Sequence, residues 1–278
     1  MSENNSTMID TGTDQLLGHI ADGVATFTLN RPERRNALTQ EMLEALARVL
    51  ADAEVNDDVG CVVLTGAGGA FCSGGDVKGM AGVDGHSGER LSYDSRVHRQ
   101  RVSHRSTSGK LWEMPKPTIA ALPGAAAGAG FSLALACDLR YASPEAIMTT
   151  AFAKVGFAGD YGGTWFLTRL VGAAKARELY YFSDRIDAAQ AEHLGLVNAV
   201  FSAETLMDEV MDRARRLADG PRVAYRFMKE NLNRAVSGDL MDCLDLEASH
   251  HNHTGTTEDH KEAALAFVEK RTPVFKGR

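Results

Sequence analysis

Val63–Met80 reads VLTGAGGAFCSGGDVKGM. The apolar run Cys61–Leu64 has the character of a buried strand, and it enters a loop carrying Gly66, Gly68, Gly69, Gly74 and Gly75. The loop leaves through Asp76 toward a helix. Glycines leave the backbone unobstructed, so N–H groups in such a loop can face a ligand. The same plan recurs downstream. Thr118–Leu122 reads as a buried strand, Pro123–Gly130 (PGAAAGAG) as the loop, and an apolar helix follows from about Phe131. Two strand–glycine–helix units can aim two amides at one oxygen atom, which is the design of an oxyanion hole.

Other loop chemistries fail on spacing. Gly66–Phe71 lacks the last glycine of GxGxxG, and no GxxxxGK[ST] occurs. Ser73, Ser87 and Ser132 each lack one flanking glycine of a GxSxG elbow. Dinucleotide, ATP and serine-hydrolase sites are therefore not indicated.

The 278 residues carry a net charge of −7, which argues against a nucleic-acid surface. The one dense basic run, Arg96–Arg105, reads as a solvated face or a contact for a phosphate-bearing small molecule. Cys61, Cys72, Cys137 and Cys243 are scattered with no CxxC pair, a pattern suited to a reducing cytoplasm. Residues 1–14 are polar and read as a disordered tail rather than a targeting signal. The uncharged span Pro117–Cys137 is interrupted by Pro123 and Gly124, so it reads as strand, turn and buried helix and not as a membrane segment.

Five ordered segments together resemble the enoyl-CoA hydratase/isomerase (crotonase) superfamily: Leu29–Leu38, Ala70–Met80, Thr118–Asp138, Asp160–Gly172 and Ala189–Val197. The resemblance runs from about Leu17 to Phe275. It implies an α/β fold, a spiral of repeated ββα units over residues 15–202. An all-helical oligomerisation region, 203–278, follows and builds a homotrimer or a dimer of trimers. It implies an acyl-CoA thioester as substrate, with coenzyme A carried in on it and no prosthetic group. The first oxyanion donor becomes the N–H of Gly75 and the second that of Ala129. Arg34, Arg35, Ala37, Ser73 and Asp76 fall in the CoA-binding segments, and Phe267 and Lys270 match positions that reach the CoA of an adjacent subunit. Plain readings stand beside these: solvated arginines, an N-cap for Asp76, core packing for Phe267 and a solvated face for Lys270.

The chain departs from the two-glutamate hydratase pattern, since Ser132 and Phe152 occupy the matching positions. Phenylalanine moves no proton, and a serine without a base moves one poorly. Asp160, in GFAGDYGGTW, falls where some family isomerases keep their catalytic carboxylate and where the aryl acyl-CoA dehalogenases keep their nucleophile. Its small, apolar and aromatic neighbours favour a working acid/base; the alternative is an N-cap for a helix beginning near Gly162. Tyr161 and Trp165 are candidates to line the acyl pocket. A single carboxylate favours isomerisation, with hydration as the alternative. Dehalogenation ranks lower because His86, His98 and His104 read as exposed and none can be set beside Asp160. A CoA-ester binder without catalysis is the rival from outside enzymology. The run His250-His251-Asn252-His253 reads as exposed, and no metal is expected.

Overall fold

The computed structural model describes residues 6–76 and 91–278. The flap expected at 81–90, His86 and the helix that Asp76 is expected to cap lie outside them. Strands β2 (Leu16–Ala21) and β3 (Val24–Leu29) form the hairpin expected around Asp22-Gly23, with both turn residues at positive φ. The expected N-terminal tail is in part a strand. β1 (Thr7–Ile9) pairs antiparallel with β2, because the free edge of that hairpin accepts one more strand.

From β3 onward the sheet is parallel. β4 (Cys61–Gly66), β5 (Thr118–Leu122), β7 (Leu139–Ala142) and β10 (Ala199–Val200) complete the seven-stranded order β1-β2-β3-β4-β5-β7-β10. Parallel strands are covered on both faces, which explains why CVVL and TIAAL are apolar without alternation. A second sheet, order β6-β8-β9, joins β6 (Ala126–Ala127), β8 (Ile147–Thr149) and β9 (Ile186–Asp187).

Helix α1 (Gln40–Val55) starts at Thr39, whose side chain accepts the Met42 N–H, and buries Leu43, Leu46 and Leu50 on one sheet face. Helix α2 (Tyr93–His104) continues through a π turn, 105–109, into one further turn, Lys110–Glu113. The short, fully buried α3 is Ala129–Ala136. Helix α4 (Gly163–Phe182) merges two segments across a non-helical Gly172. A capped α5, Ala188–His193, follows.

The helical succession after residue 203 is as expected: α6 (Leu206–Ala218), α7 (Arg222–Ala235), α8 (Leu240–Thr254) and α9 (Glu258–Glu269). Yet α6 packs Leu206, Val210, Ala214 and Ala218 onto the opposite sheet face, against Val24, Cys61, Val63 and Ile119. This first helix of the C-terminal region therefore covers the sheet. Lys229 of α7 is buried, its ammonium donating to Leu111 O, Lys116 O and Asp138 Oδ2 at 2.8–3.1 Å. His250 is likewise buried rather than exposed, 2.6 Å from Asn231 Oδ1 and stacked near Phe227.

Candidate active site

The two glycine-rich loops meet at the C-terminal ends of β4 and β5. Phe71 and Cys72 donate their N–H groups to Ala125 O, each at 3.0 Å, and Ala127 N–H returns to Cys72 O at 2.9 Å. A Cβ placed on Gly130 would lie 2.5 Å from Cys72 Cβ, so only glycine allows α3 to seat against the first loop. A Cβ on Gly74 would stand 3.5 Å from Ala129 N, which puts the two expected amides in one corner. Gly74 O and Asp76 N–H bond to Leu38, whereas neither the Gly75 nor the Ala129 N–H donates to any described residue. Ala129 is also the first residue of α3, where helix amides point outward and carry partial positive charge. Cys72 lies beside this corner, but burial pushes its thiol up to about 12, so it supplies no thiolate.

The expected CoA-binding residues come together at the same edge. Ser73 N–H donates to Arg35 O at 2.9 Å, and Ser73 Oγ donates to Arg34 O at 3.2 Å. The Arg31 guanidinium donates to Ala37 O at 2.7 Å and pairs with Asp76 Oδ2 at 3.2 Å, so Asp76 is a partner of the arginine segment. Asn36, fully buried, holds the assembly. Its amide donates to Ala67 O and Ala70 O at 2.9 and 2.8 Å, and its Oδ1 accepts the Arg31 N–H. Sequence reading passed over Asn36; its positive φ of 57° beside Arg35 at 48° is what turns the chain there. Phe267 and Lys270 lie at the C-terminal end of α9. Phe267 is 86% exposed, against the core-packing alternative, and Lys270 ends α9 in a left-handed turn.

Asp160 does not cap α4, whose N-cap is Gly162. Nor is its carboxylate enclosed by apolar neighbours, as Phe157 is exposed. Its partners come from α2 instead. Asp160 Oδ1 accepts Gln100 Nε2–H at 2.9 Å and the Tyr161 N–H at 3.1 Å. His104 Nε2 abuts the same oxygen; that nitrogen is buried and has no other polar partner among the described residues. A histidine therefore does stand beside Asp160, contrary to the sequence reading. Ser103 and the Tyr161 hydroxyl share a hydrogen bond of 3.0 Å, and the His104 and Tyr161 rings lie 4.4 Å apart. Burial pushes the Tyr161 phenol up to about 12, so it stays a neutral donor. Arg96, Arg99 and Arg101 of α2 are exposed, as expected.

The π turn that follows has a local cause. Thr107 Oγ1 and Ser108 Oγ donate back to the carbonyls of Ser103 and His104 at 2.7 and 3.0 Å, loosening the helical ladder there. Trp112 then stacks edge-on against Trp165, and Phe166 joins the pair, giving a small aromatic recess bordered by His104.

The two positions that hold glutamates in typical hydratases are filled otherwise. Ser132 Oγ donates to Gly128 O at 3.2 Å inside α3. The Phe152 ring stacks on Tyr180 with centroids 5.8 Å apart. A Cβ on Gly163 would sit 2.3 Å from Ser132 Oγ and 2.7 Å from the Tyr180 hydroxyl, so Tyr180 closes this space from behind. Its phenol is pushed up by burial and by the charge of Asp160, and so remains protonated.

The sequence matches the enoyl-CoA hydratase/isomerase family over residues 19–278. The chain belongs to that family. It is 38% identical to the 1,2-epoxyphenylacetyl-CoA isomerase of Escherichia coli K12, over 95% of this chain and 98% of the relative. It is 35% identical to the mitochondrial enoyl-CoA hydratase of Pongo abelii, over 91% and 83% of the two chains. Among solved structures, an enoyl-CoA hydratase from Polaromonas sp. JS666 superposes with a TM-score of 0.87 at 35% identity, covering 94% of this chain and 99% of that one. The enoyl-CoA hydratase of Bacillus anthracis gives 0.87 at 32% identity, covering 95% and 100%. The crotonase fold and an enzyme acting on an acyl-CoA thioester follow from membership, and a non-catalytic binder is set aside. Among the described residues no helix is long and apolar enough to cross a membrane.

Proposed function

We propose that this enzyme isomerises an acyl-CoA, either shifting a double bond or rearranging a ring-derived acyl group. The observation that carries the reading is Asp160, whose Oδ1 gathers its three contacts while no described residue donates to Oδ2. The thioester carbonyl would sit between the N–H groups of Gly75 and Ala129. Asp160 Oδ2 would take a proton from the acyl chain, the C–H electron pair moving into an enolate held by those amides. The same carboxyl then returns the proton to another carbon, so one group serves both steps. Arg34, Arg35, Ala37, Ser73 and Asp76 would hold the CoA moiety. Phe267 and Lys270 would reach it from a neighbouring subunit in a trimer or a pair of trimers; the exposure of Phe267 supports that role. The isomerase relative and the absence of glutamate at 132 and 152 favour isomerisation over hydration.

The test is incubation with a trans-2-enoyl-CoA, a 3-enoyl-CoA and a ring-epoxide acyl-CoA in deuterated water, products read by NMR. A migrated double bond or rearranged ring carrying deuterium is expected; a 3-hydroxyacyl product would contradict it. His104 favours one second reading. Asp160 could attack an aryl carbon, expelling halide, with His104 then activating water to cleave the resulting ester. Chloride release from a chloroaryl-CoA, lost in Asp160→Asn, would support that reading.

A further inference from the structure

At the opposite end of the parallel strands lies a second cavity, of about 490 Å³. It opens where Val59-Gly60 lead into β4 and Pro117 leads into β5. The two glycine loops leave the other ends of those strands, about 20 Å away for a strand of six residues. Its walls carry Lys116, Arg222, Arg226, Lys276 and Arg278 against a single lining side-chain carboxylate, Asp57. This concentration of cations is out of keeping with a chain of net charge −7.

Among the described residues three of those cations, Lys116, Arg222 and Arg226, form no salt bridge, although Asp57 and Glu54 act on Lys116 from farther away. Main-chain carbonyls hold two of them in place instead. Lys116 Nζ donates to Ala53 O and Asn56 O at 2.7 and 2.5 Å, and Arg222 donates to Ala218 O and Asp57 O at 2.9 and 2.6 Å. Carbonyls orient a cation without neutralising it. Lys116 shows the cost: burial first, then the nearby Arg222, pull its pKa down to about 8.

The remaining wall is fixed as well. The buried carboxylate of Asp259 accepts the N–H groups of Lys276 and Gly277 at 2.7 and 2.9 Å, while Arg278 O accepts the Asp259 N–H at 3.1 Å. Lys276 and Arg278 share Glu258 at 3.8 and 3.4 Å, so one acid serves two bases. Held cations of like sign around a small-molecule-sized cavity are a cost to folding that a bound anion removes.

We propose that this cavity is an anion site for a small phosphate-bearing molecule of at least two negative charges, separate from the thioester site. Guanidinium groups can bridge two phosphate oxygens and the ammonium adds a point charge, so a diphosphate suits the wall better than a monocarboxylate. The proposal does not depend on the reaction catalysed at the other end of the sheet.

Calorimetric titration of the full chain with inorganic pyrophosphate, at physiological ionic strength, tests it. One binding event per chain is expected. Affinity should fall at least tenfold in Arg226→Ala and in Lys116→Met, with folding checked by circular dichroism. It should be unchanged in an Arg34→Ala, Arg35→Ala double variant. Arg226→Ala alone carries the test should Lys116→Met fail to fold. No binding heat, binding indifferent to Arg226, or binding lost in the Arg34/Arg35 variant would each overturn the proposal.

Discussion

The corner proposed to hold the thioester oxygen and the corner proposed to move the proton are made of different materials. At Gly75 and Ala129 the groups on offer are backbone amides, held by main-chain bonds between loops that each follow a strand. Around Asp160 two of the three contacts are side chains, Gln100 and His104, which lie 60 and 56 residues earlier in the chain; the third is the neighbouring Tyr161 N–H. A backbone corner tolerates any residue that keeps the N–H and the turn. A side-chain corner depends on identity at each position.

That contrast can be broken by substitution, beginning with the largest effect. Asp160→Asn keeps the shape but cannot accept a proton. Turnover should fall by about 10²–10⁴ with thioester affinity little changed, as steady-state kinetics and equilibrium binding would show. Second comes Ala129→Pro, which deletes one amide at a helix position where proline is well accommodated. A fall of about 10²–10³ in kcat is expected with helical signal retained, whereas Ala129→Gly should leave kcat within a few-fold.

Third, His104→Phe keeps a ring against Tyr161 but removes the nitrogen from Asp160 Oδ1. A loss of about tenfold in kcat with unchanged KM is expected, since Gln100 and the Tyr161 N–H still hold the carboxylate. Equal losses in His104→Phe and Asp160→Asn would make the histidine a reacting group rather than a positioning one.

The smallest effect lies far from both corners. Lys116 binds fewer protons folded than unfolded between its lowered pKa of about 8 and the ordinary lysine value of 10.5. Stability should therefore rise with pH across that window; after discounting for half-exposure the gain is about 1 kcal/mol. Urea melts from pH 7 to 11 should show this component in the wild-type protein and not in Lys116→Met.

The same contrast explains what could be read from the sequence. Gly66–Gly74 and Pro123–Gly130 announce themselves because each glycine is demanded locally, by positive φ or by a carbonyl or side chain pressed against it. The hairpin at Asp22-Gly23 and strand β5 are legible for similar reasons. The partners of Asp160 were not, because docking α2 onto the Asp160–Tyr161 turn is a tertiary event. A signal did exist: Gln100, Ser103, His104 and Thr107 form one polar stripe at helical spacing, turned away from Arg101 and Arg105. Asn36 was hidden among charged neighbours, and Tyr180 reaches Ser132 only because α4 breaks at Gly172 and returns. The tail reading failed at Thr7–Ile9 because composition does not register an open sheet edge.

The most direct test of the division of labour is the ¹³C carbonyl shift of a bound, carbonyl-labelled acyl-CoA, measured with α-deuterium exchange in wild type and Asp160→Asn. Two independent corners predict the same polarised carbonyl shift in both proteins and exchange in the wild type alone. A carbonyl that relaxes to its free value in Asp160→Asn, or exchange that survives the substitution, would contradict it.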